Sequence, residues 1–321
     1  MTIVANTFLT FDAKGIREEL SDVIYQISPE DTPFISMAGK EKVGNTLYEW
    51  QTDELGAVDT TNAHLEGDDI ASFSAVTATA RVGNYAQISR KTLIISGTEE
   101  VVRKAGRRSE LAYQTAQRGK ELKRDMEAIA LHNIGGDAGN STTARDTATM
   151  GAWLKTNVDK HATGTNPSYT AGVPSTARTD GTQRAFTETI LKSVISSMWT
   201  EGGTLKQLFV GPYNKGVVSN FDGIATTNFD LSRPRPAAII ASADVYVSDF
   251  GVLSVLPNRF QRERDAWFLD FEFISIAHVR PFRVTKLAKT GDAEKRLMLL
   301  EWGLKVKQEA ALGLAADLST S

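Results

Sequence analysis

Between Val43 and Arg90 the chain carries no helical period and almost nothing with which to build a core. "TLYEWQ" reads as one strand. "AVTATARVGNYAQIS" reads as a second, with Val76, Ala78, Ala80, Val82, Ala86 and Ile88 on one face and Asn84 interrupting it. Between them lie Gly56, Gly67, Asp68 and Asp69, with few bulky residues. Two strands and a polar tip cannot bury a core of their own. The stretch must project from a body as a long hairpin arm. Its charge is one-sided: from Val43 to Ala80 stand Glu49, Asp53, Glu54, Asp59, Glu66, Asp68 and Asp69, with no lysine or arginine.

The segments flanking the arm are patterned. Residues 12–27 read as an amphipathic helix, with Ile16, Leu20, Val23, Ile24 and Ile27 on one face. Asp12 can cap it, and Phe11 and Ile16 are spaced as a hydrophobic staple. In "ISPEDTPFISMAGK", Ser28, Pro29, Glu30 and Asp31 write a helix start, and Pro33 falls where such a helix needs an N–H. The expectation is a rigid hook, at most one helical turn, followed by Phe34, Ile35 and Met37 in extended chain. Beyond the arm, Ser96 and Glu99 form a capping box. Val101, Ala105, Ala112, Ala116, Gly119, Leu122, Met126 and Ile129 then recur at helical spacing until "GGDAG". One helix over Ser96–Asn133 would exceed about 50 Å. The small residues of its middle predict close packing there. Arg103, Lys104, Arg107 and Arg108 form a basic cluster on it.

Residues 135–182 are rich in Gly, Ser, Thr, Asn and Asp and read as loop or a small insertion around "MGAWLKTNV". A second amphipathic helix is expected over Thr187–Thr200, stapled by Phe186 and Leu191 and closed by Gly202. "QLFVG" reads as a buried strand, Pro212 as the start of a short helix, and "DVYVSDFGVLSVLP" as two strands around Asp249–Gly251. "AWFLDFEFISI" reads as a further strand, and 297–318 as one long strand bent at Gln308.

No motif carries chemistry. His64, His132, His161 and His278 stand isolated, and there is no P-loop, G-x-G-x-x-G or G-x-S-x-G. "EGDD" at 66–69 lacks the alternating oxygen ligands of a calcium loop. Cysteine is absent, which excludes disulfides and thiolate sites. Catalytic, cofactor and metal residues are therefore expected to be none, and the chain is not expected to be an enzyme. A net charge of −3 supplies no global basic field for nucleic acid or anionic membrane. No apolar run reaches the roughly 18 residues of a membrane span, and the N-terminus lacks a signal-peptide core. The expectation is a soluble chain made in a cytosol.

The order of helical arm, hook, projecting two-stranded loop, long helix and compact α/β part resembles the major capsid protein of tailed bacteriophages. "SPEDTPFISMAGKEKVGNTLYEWQTDEL" is similar to the start of one major-head-protein family, with Thr32, Pro33 and Phe34 in the hook and Trp50, Asp53 and Glu54 at the strand end. "GPYNKGVVSNF" and "VYVSDFGVLSVLPNR" resemble its later segments. The resemblance implies the α+β Johnson-type capsid fold. Its parts would be an N-terminal arm at 1–40, an extended loop at 41–92, and a peripheral domain at 93–182 with a spine helix at 96–134. An axial domain would follow at 183–265, then the peripheral-domain sheet and C-terminal strand at 266–321. It implies a structural subunit that self-assembles, as pentamers and hexamers, into an icosahedral head enclosing double-stranded DNA without reading its sequence. Partners would be further copies and portal, scaffold or decoration proteins, with no membrane. The subunit would sit in the virion and be assembled in the bacterial host cytoplasm. Contacts between copies are expected at Phe34 and Ile35, at the arm carboxylates Glu49, Asp53, Glu54, Asp59, Glu66, Asp68 and Asp69, and at Arg103, Lys104, Arg107 and Arg108. Some relatives carry a lysine in the extended loop that forms an isopeptide bond, whereas none stands here between Lys42 and Lys91. The long N-terminal helical region that serves some relatives as a built-in scaffold is also expected to be lacking. The alternatives are a non-viral encapsulin shell enclosing cargo, or a binding protein or hydrolase with a projecting hairpin.

Overall fold

A computed structural model describes residues 31–321 apart from 68, 70–72, 74, 103–107 and 222–244. The segment 12–27, expected as a helix, lies outside the described residues. The chain enters through a short helix, α1 (Pro33–Met37). Pro33 occupies its first turn, where a missing N–H costs nothing. The proline expected to cancel a helix therefore starts one, and Phe34 to Met37 are helical, not extended. Strand β1 (Gly39–Lys42) follows.

Strands β2 (Leu47–Thr52) and β3 (Ala80–Tyr85) pair antiparallel, from Leu47 opposite Tyr85 to Thr52 opposite Ala80. The described residues from 53 to 79 form no strand or helix, and all are exposed. The second strand thus begins at Ala80 and not at Val76. After Ala86 the chain continues as β4 (Gln87–Ser96) into the body.

The single long helix expected from Ser96 is two. In α2 (Gly97–Val101), Ser96 Oγ accepts the Glu99 N–H at 3.2 Å. A second start is written at Ser109, whose Oγ accepts the Ala112 N–H at 3.1 Å and opens α3 (Glu110–Ala130). Glu100 secures the junction by accepting the Ser109 hydroxyl at 2.5 Å and the Leu111 N–H at 3.1 Å. At 21 residues α3 is about 31 Å long.

The stretch 135–182 is built structure, not loop. It holds α4 (Met150–Trp153), β5 (Val158–Asp159) and a hairpin of β6 (Ser168–Thr170) and β7 (Val173–Thr176). Ala171 and Gly172 make the two-residue turn with φ of 50° and 82°, the left-handed pair of a type I′ hairpin.

The remainder follows the expected order more closely. Thr187 caps α5 (Glu188–Thr200), β8 (Gln207–Val210) leads into α6 (Pro212–Ser219), and β9 (Val245–Ser248) pairs with β10 (Gly251–Pro257). The run "AWFLDFEFISI" is broken, however, into β11 (Ala266–Leu269) and β12 (Ile274–Lys286). Asp270 makes the break, its carboxylate accepting the Glu272 N–H at 3.0 Å. The expected last strand is likewise split. Strand β13 (Ala293–Val306) ends before Gln308, and after a 3₁₀ turn at Glu309–Ala311 the chain resumes as β14 (Gly313–Ala315).

Both breaks carry the chain between two sheets. One runs β1-β12-β13-β4 and the other β5-β14-β11-β8-β10-β9. The six-stranded sheet has a core on each face. Leu208, Val210, Ala266 and Phe268 face the core around α5, whereas Phe209, Trp267 and Leu269 face the core shared with α3, α4 and the four-stranded sheet. Burial on both faces explains why these strands read as unbroken apolar runs.

Candidate assembly surface

The arm is fastened at its root. Tyr48 and Trp50 point from β2 into the body, where the Tyr48 hydroxyl donates to the Leu304 carbonyl at 2.8 Å and Trp50 Nε1 to the Lys307 carbonyl at 3.1 Å. Trp50 stacks on Tyr48 at 6.0 Å and on Trp153 of α4 at 5.4 Å, and Tyr169 of β6 meets Trp153 edge-on. Burial pushes the Tyr48 hydroxyl pKa far up, so it remains a donor. Asn84, read as a flaw in the strand, is fully buried. Its side chain accepts the Ala148 N–H at 2.8 Å and donates to the Ala148 and Leu304 carbonyls at 2.9 and 2.6 Å. Gly172 presses its carbonyl on the Gly83 N–H at 3.1 Å, and a Cβ there would lie 2.1 Å from the Arg81 carbonyl oxygen. The 135–182 insertion is thus a socket for the arm.

Past Thr52 the described chain leaves that socket without cover. Leu55, Val58, Leu65, Phe73 and Val76 are 82–100% exposed. Of the arm carboxylates, Glu49 is already paired with Arg81 at 3.3 Å. Asp53, Glu54, Asp59, Glu66 and Asp69 are exposed, and Asp68 lies outside the described residues. The hydroxyl and N–H of Thr61 hold the Asp59 carboxyl below its usual range. On the basic side Arg108 is exposed, while Arg103, Lys104 and Arg107 lie outside the described residues.

Phe34 and Ile35, expected at contacts between copies, are buried in the chain's own core. Phe34 packs edge-on against Phe209 and Phe271. The Glu127 carboxylate of α3 accepts the Phe34 and Ile35 N–H groups at 2.9 and 2.8 Å and the Asn258 side-chain N–H at 2.6 Å. Burial pushes the Glu127 carboxyl up against the pull of these donors. The hook is clasped from within because α1 offers its free N-terminal N–H groups to a carboxylate.

A second basic surface escaped sequence reading. The β12–β13 hairpin carries Arg280, Arg283, Lys286, Lys289, Lys295 and Arg296 against Asp292 and Glu294. Glu294 binds Lys289 at 2.5 Å and Lys286 at 3.2 Å, and Arg280 reaches Glu301 at 2.6 Å, which leaves an excess of cations at this end. Counting charge over 280–296 finds the excess, but only the strand register gathers it. Beside it the four-stranded sheet keeps an open face. Lys91 on the other face pairs with Asp125 of α3 at 2.7 Å, whereas Ile88 and Ile94 turn outward, 48% and 63% exposed. Leu297 and Leu299, opposite Thr92 and Arg90, share that outer face.

Among the described residues no three metal-binding side chains converge, and no helix is long and apolar enough to cross a membrane. What the surface offers is an acidic, apolar-studded arm and a basic hairpin beside an uncovered sheet face. The chain is 28% identical to the major capsid protein of Escherichia phage Phieco32, over 96% of each. A chain solved from Gordonia phage Cozz superposes with a TM-score of 0.61 at 12% identity, covering 99% of this chain and 98% of that one. A chain of the SrpI encapsulin complex from Synechococcus elongatus PCC 7942 gives 0.55 at 9% identity, covering 95% and 94%. The fold alone therefore does not separate viral from non-viral shells, and the separation comes from sequence. The model of the SU10 major capsid protein family matches residues 3–319, so the chain belongs to that family and is a shell-forming structural protein of a phage, with the Johnson-type capsid fold.

Proposed function

We propose that copies of this subunit join as pentamers and hexamers into a closed icosahedral head around packaged double-stranded DNA, each arm lying on the next copy. Residues 1–40 act as the N-terminal arm and 41–92 as the extended loop. Residues 93–182 and 266–321 form the peripheral domain, and 183–265 the axial domain. The acidic tip, with Asp53, Glu54, Asp59, Glu66, Asp68 and Asp69, meets basic surface on the neighbour. Candidates are Arg103, Lys104, Arg107 and Arg108, and the hairpin Arg280–Arg296 beside Ile88 and Ile94. The subunit lies in the virion, is assembled in the host cytoplasm, and meets portal, scaffold or decoration proteins there. A net charge of −3 suits a shell that encloses DNA without gripping it, since a protein that condenses DNA would carry an excess of cations.

The observation that carries this reading is the exposure of Leu55, Phe73 and Val76 on a segment without a core, held by a root fixed by Trp50 and Asn84. Such apolar side chains call for a covering surface, and the chain itself supplies none among the described residues. Charge complementarity then sets register more than affinity. Replacing residues 55–77 with a short Asn-Gly turn keeps β2, β3 and their socket. The expected outcome is a folded monomeric subunit that forms no closed particles by electron microscopy. Normal shells from this variant would defeat the reading.

A further inference from the structure

An open groove of about 660 Å³ runs along α3. Ile35, Met126 and Ile276 make its floor, half-exposed Phe282 one side, and Ala116 and Gly119 the helix wall. Apart from the backbone of its own helix, no described atom lies within 4 Å of a Cβ built on Gly119. The small stripe of α3 that predicts close packing is therefore left uncovered by the described residues.

We propose that this groove holds the N-terminal segment of the same chain, residues 12–27, as an amphipathic helix. Thirty residues precede Asp31, and the described chain begins beside the groove, since Ile35 lines it. From Ile27 to Asp31 the backbone reaches at most about 14 Å, so the segment is tethered close to that end. As a helix, Ile16 to Ile27 spans about 17 Å, and the wall from Ala116 to Met126 about 15 Å. The apolar stripe Ile16, Leu20, Val23, Ile24 and Ile27 matches the floor in length and character. Charge agrees as well. Four of the segment's six charged residues are acidic, with Asp12 and Glu19 flanking the stripe. Lys120 and Lys123 stand on the groove's rim, where Lys123 donates to Ser36 Oγ at 3.0 Å. A 16-residue helix alone in water is marginal, so its order depends on covering that stripe.

The test uses the unassembled full-length subunit, so its result is independent of how arms join copies. The natural chain has no cysteine, which makes disulfide trapping clean. In the double variant Gly119→Cys with Ile24→Cys, oxidation of dilute protein is expected to give an intrachain disulfide in the monomer. Amide exchange over 16–27 in the unmodified chain is expected to be slowed by about 100-fold relative to the free peptide. Gly119→Trp fills the groove from a position with open space around it, so the body still folds, and it should abolish that protection. A disulfide found only between chains, no disulfide, an unprotected 16–27 segment, or protection that survives Gly119→Trp would each overturn the proposal.

Discussion

Arg178 is fully buried, and the charges around it tie the insertion to the C-terminal strands. It pairs with buried Asp265, lies 3.6 Å from Asp317 and 3.4 Å from Asp180. Asp317, also buried, accepts the Gly181 N–H at 2.8 Å and is reached by Arg264 at 3.0 Å. Removing one member of a buried ion network strands the others, which costs far more than the network contributes in net terms. Arg178→Met is expected to cost about 3–5 kcal/mol at neutral pH, read by urea unfolding. The pH dependence has a definite sign. Burial pushes the Asp180 carboxyl up, but the hydrogen bond from Arg262 and the charges of Arg262, Arg178 and Arg264 outweigh it and hold the group below the usual range. A carboxyl with a lowered folded pKa contributes stability above its unfolded pKa, and that contribution is lost as pH falls through the folded value. The variant loses part of it and removes an arginine that pulls the Asp265 carboxyl down against burial, which already holds that group above its usual range. The gap between the natural chain and Arg178→Met should therefore narrow as pH drops from neutral to about 4. A gap constant in pH would mean that these charges do not carry the effect.

Ser109 decides whether one helix or two follows the arm. As an N-cap it accepts the Ala112 N–H, so Ser109→Ala should destabilise by about 1 kcal/mol. Were it the interior of a continuous helix, the same change would stabilise by a few tenths of a kcal/mol, because alanine is the better helix former. The sign of the shift in a denaturant titration separates the two. Sequence reading passed over this break because the apolar spacing runs through it. The first cap at Ser96 was visible, but the second depends on Glu100 folding back on Ser109, a contact that the spacing does not encode. Helix α5 was legible throughout, since Thr187, the Leu191–Val194–Ile195–Met198 stripe and Gly202 are all local signals. The break at Gln308 showed as a lapse in alternation, but the break at Asp270 did not, and neither change of sheet was legible, because alternation is the same on either sheet and only packing says which sheet a strand joins. The insertion was read as loop or a small insertion for a related reason: "MGAWLKTNV" stands out in its polar composition, but the partner of Trp153 in the arm root, Trp50, lies about a hundred residues away in the chain.

At the scale of the molecule, the acidic half of the proposed assembly surface was readable as an uninterrupted charge run. The hairpin half was not, because its cations alternate with strand residues and converge only through the pairing of β12 with β13. Phe34 and Ile35 were expected at contacts between copies, because a short apolar run after a proline looks the same whether it meets a neighbour or is clasped into the chain's own core. The residues that remain for joining copies permit few covalent schemes. The chain has no cysteine, so no disulfide can form between subunits. The arm has no lysine from Val43 to Arg90, so it cannot donate the amine of an isopeptide bond. Exposed ion pairs are worth under about 1 kcal/mol each, so a shell must draw its strength from apolar area and from many contacts engaged at once. Particles boiled in denaturing detergent should run as one band near 35 kDa, and raised salt should slow their assembly more than it loosens finished shells. A ladder of multimers that survives boiling, with a crosslinked peptide mapping inside 43–90, would mean that the arm is joined by chemistry its side chains do not suggest.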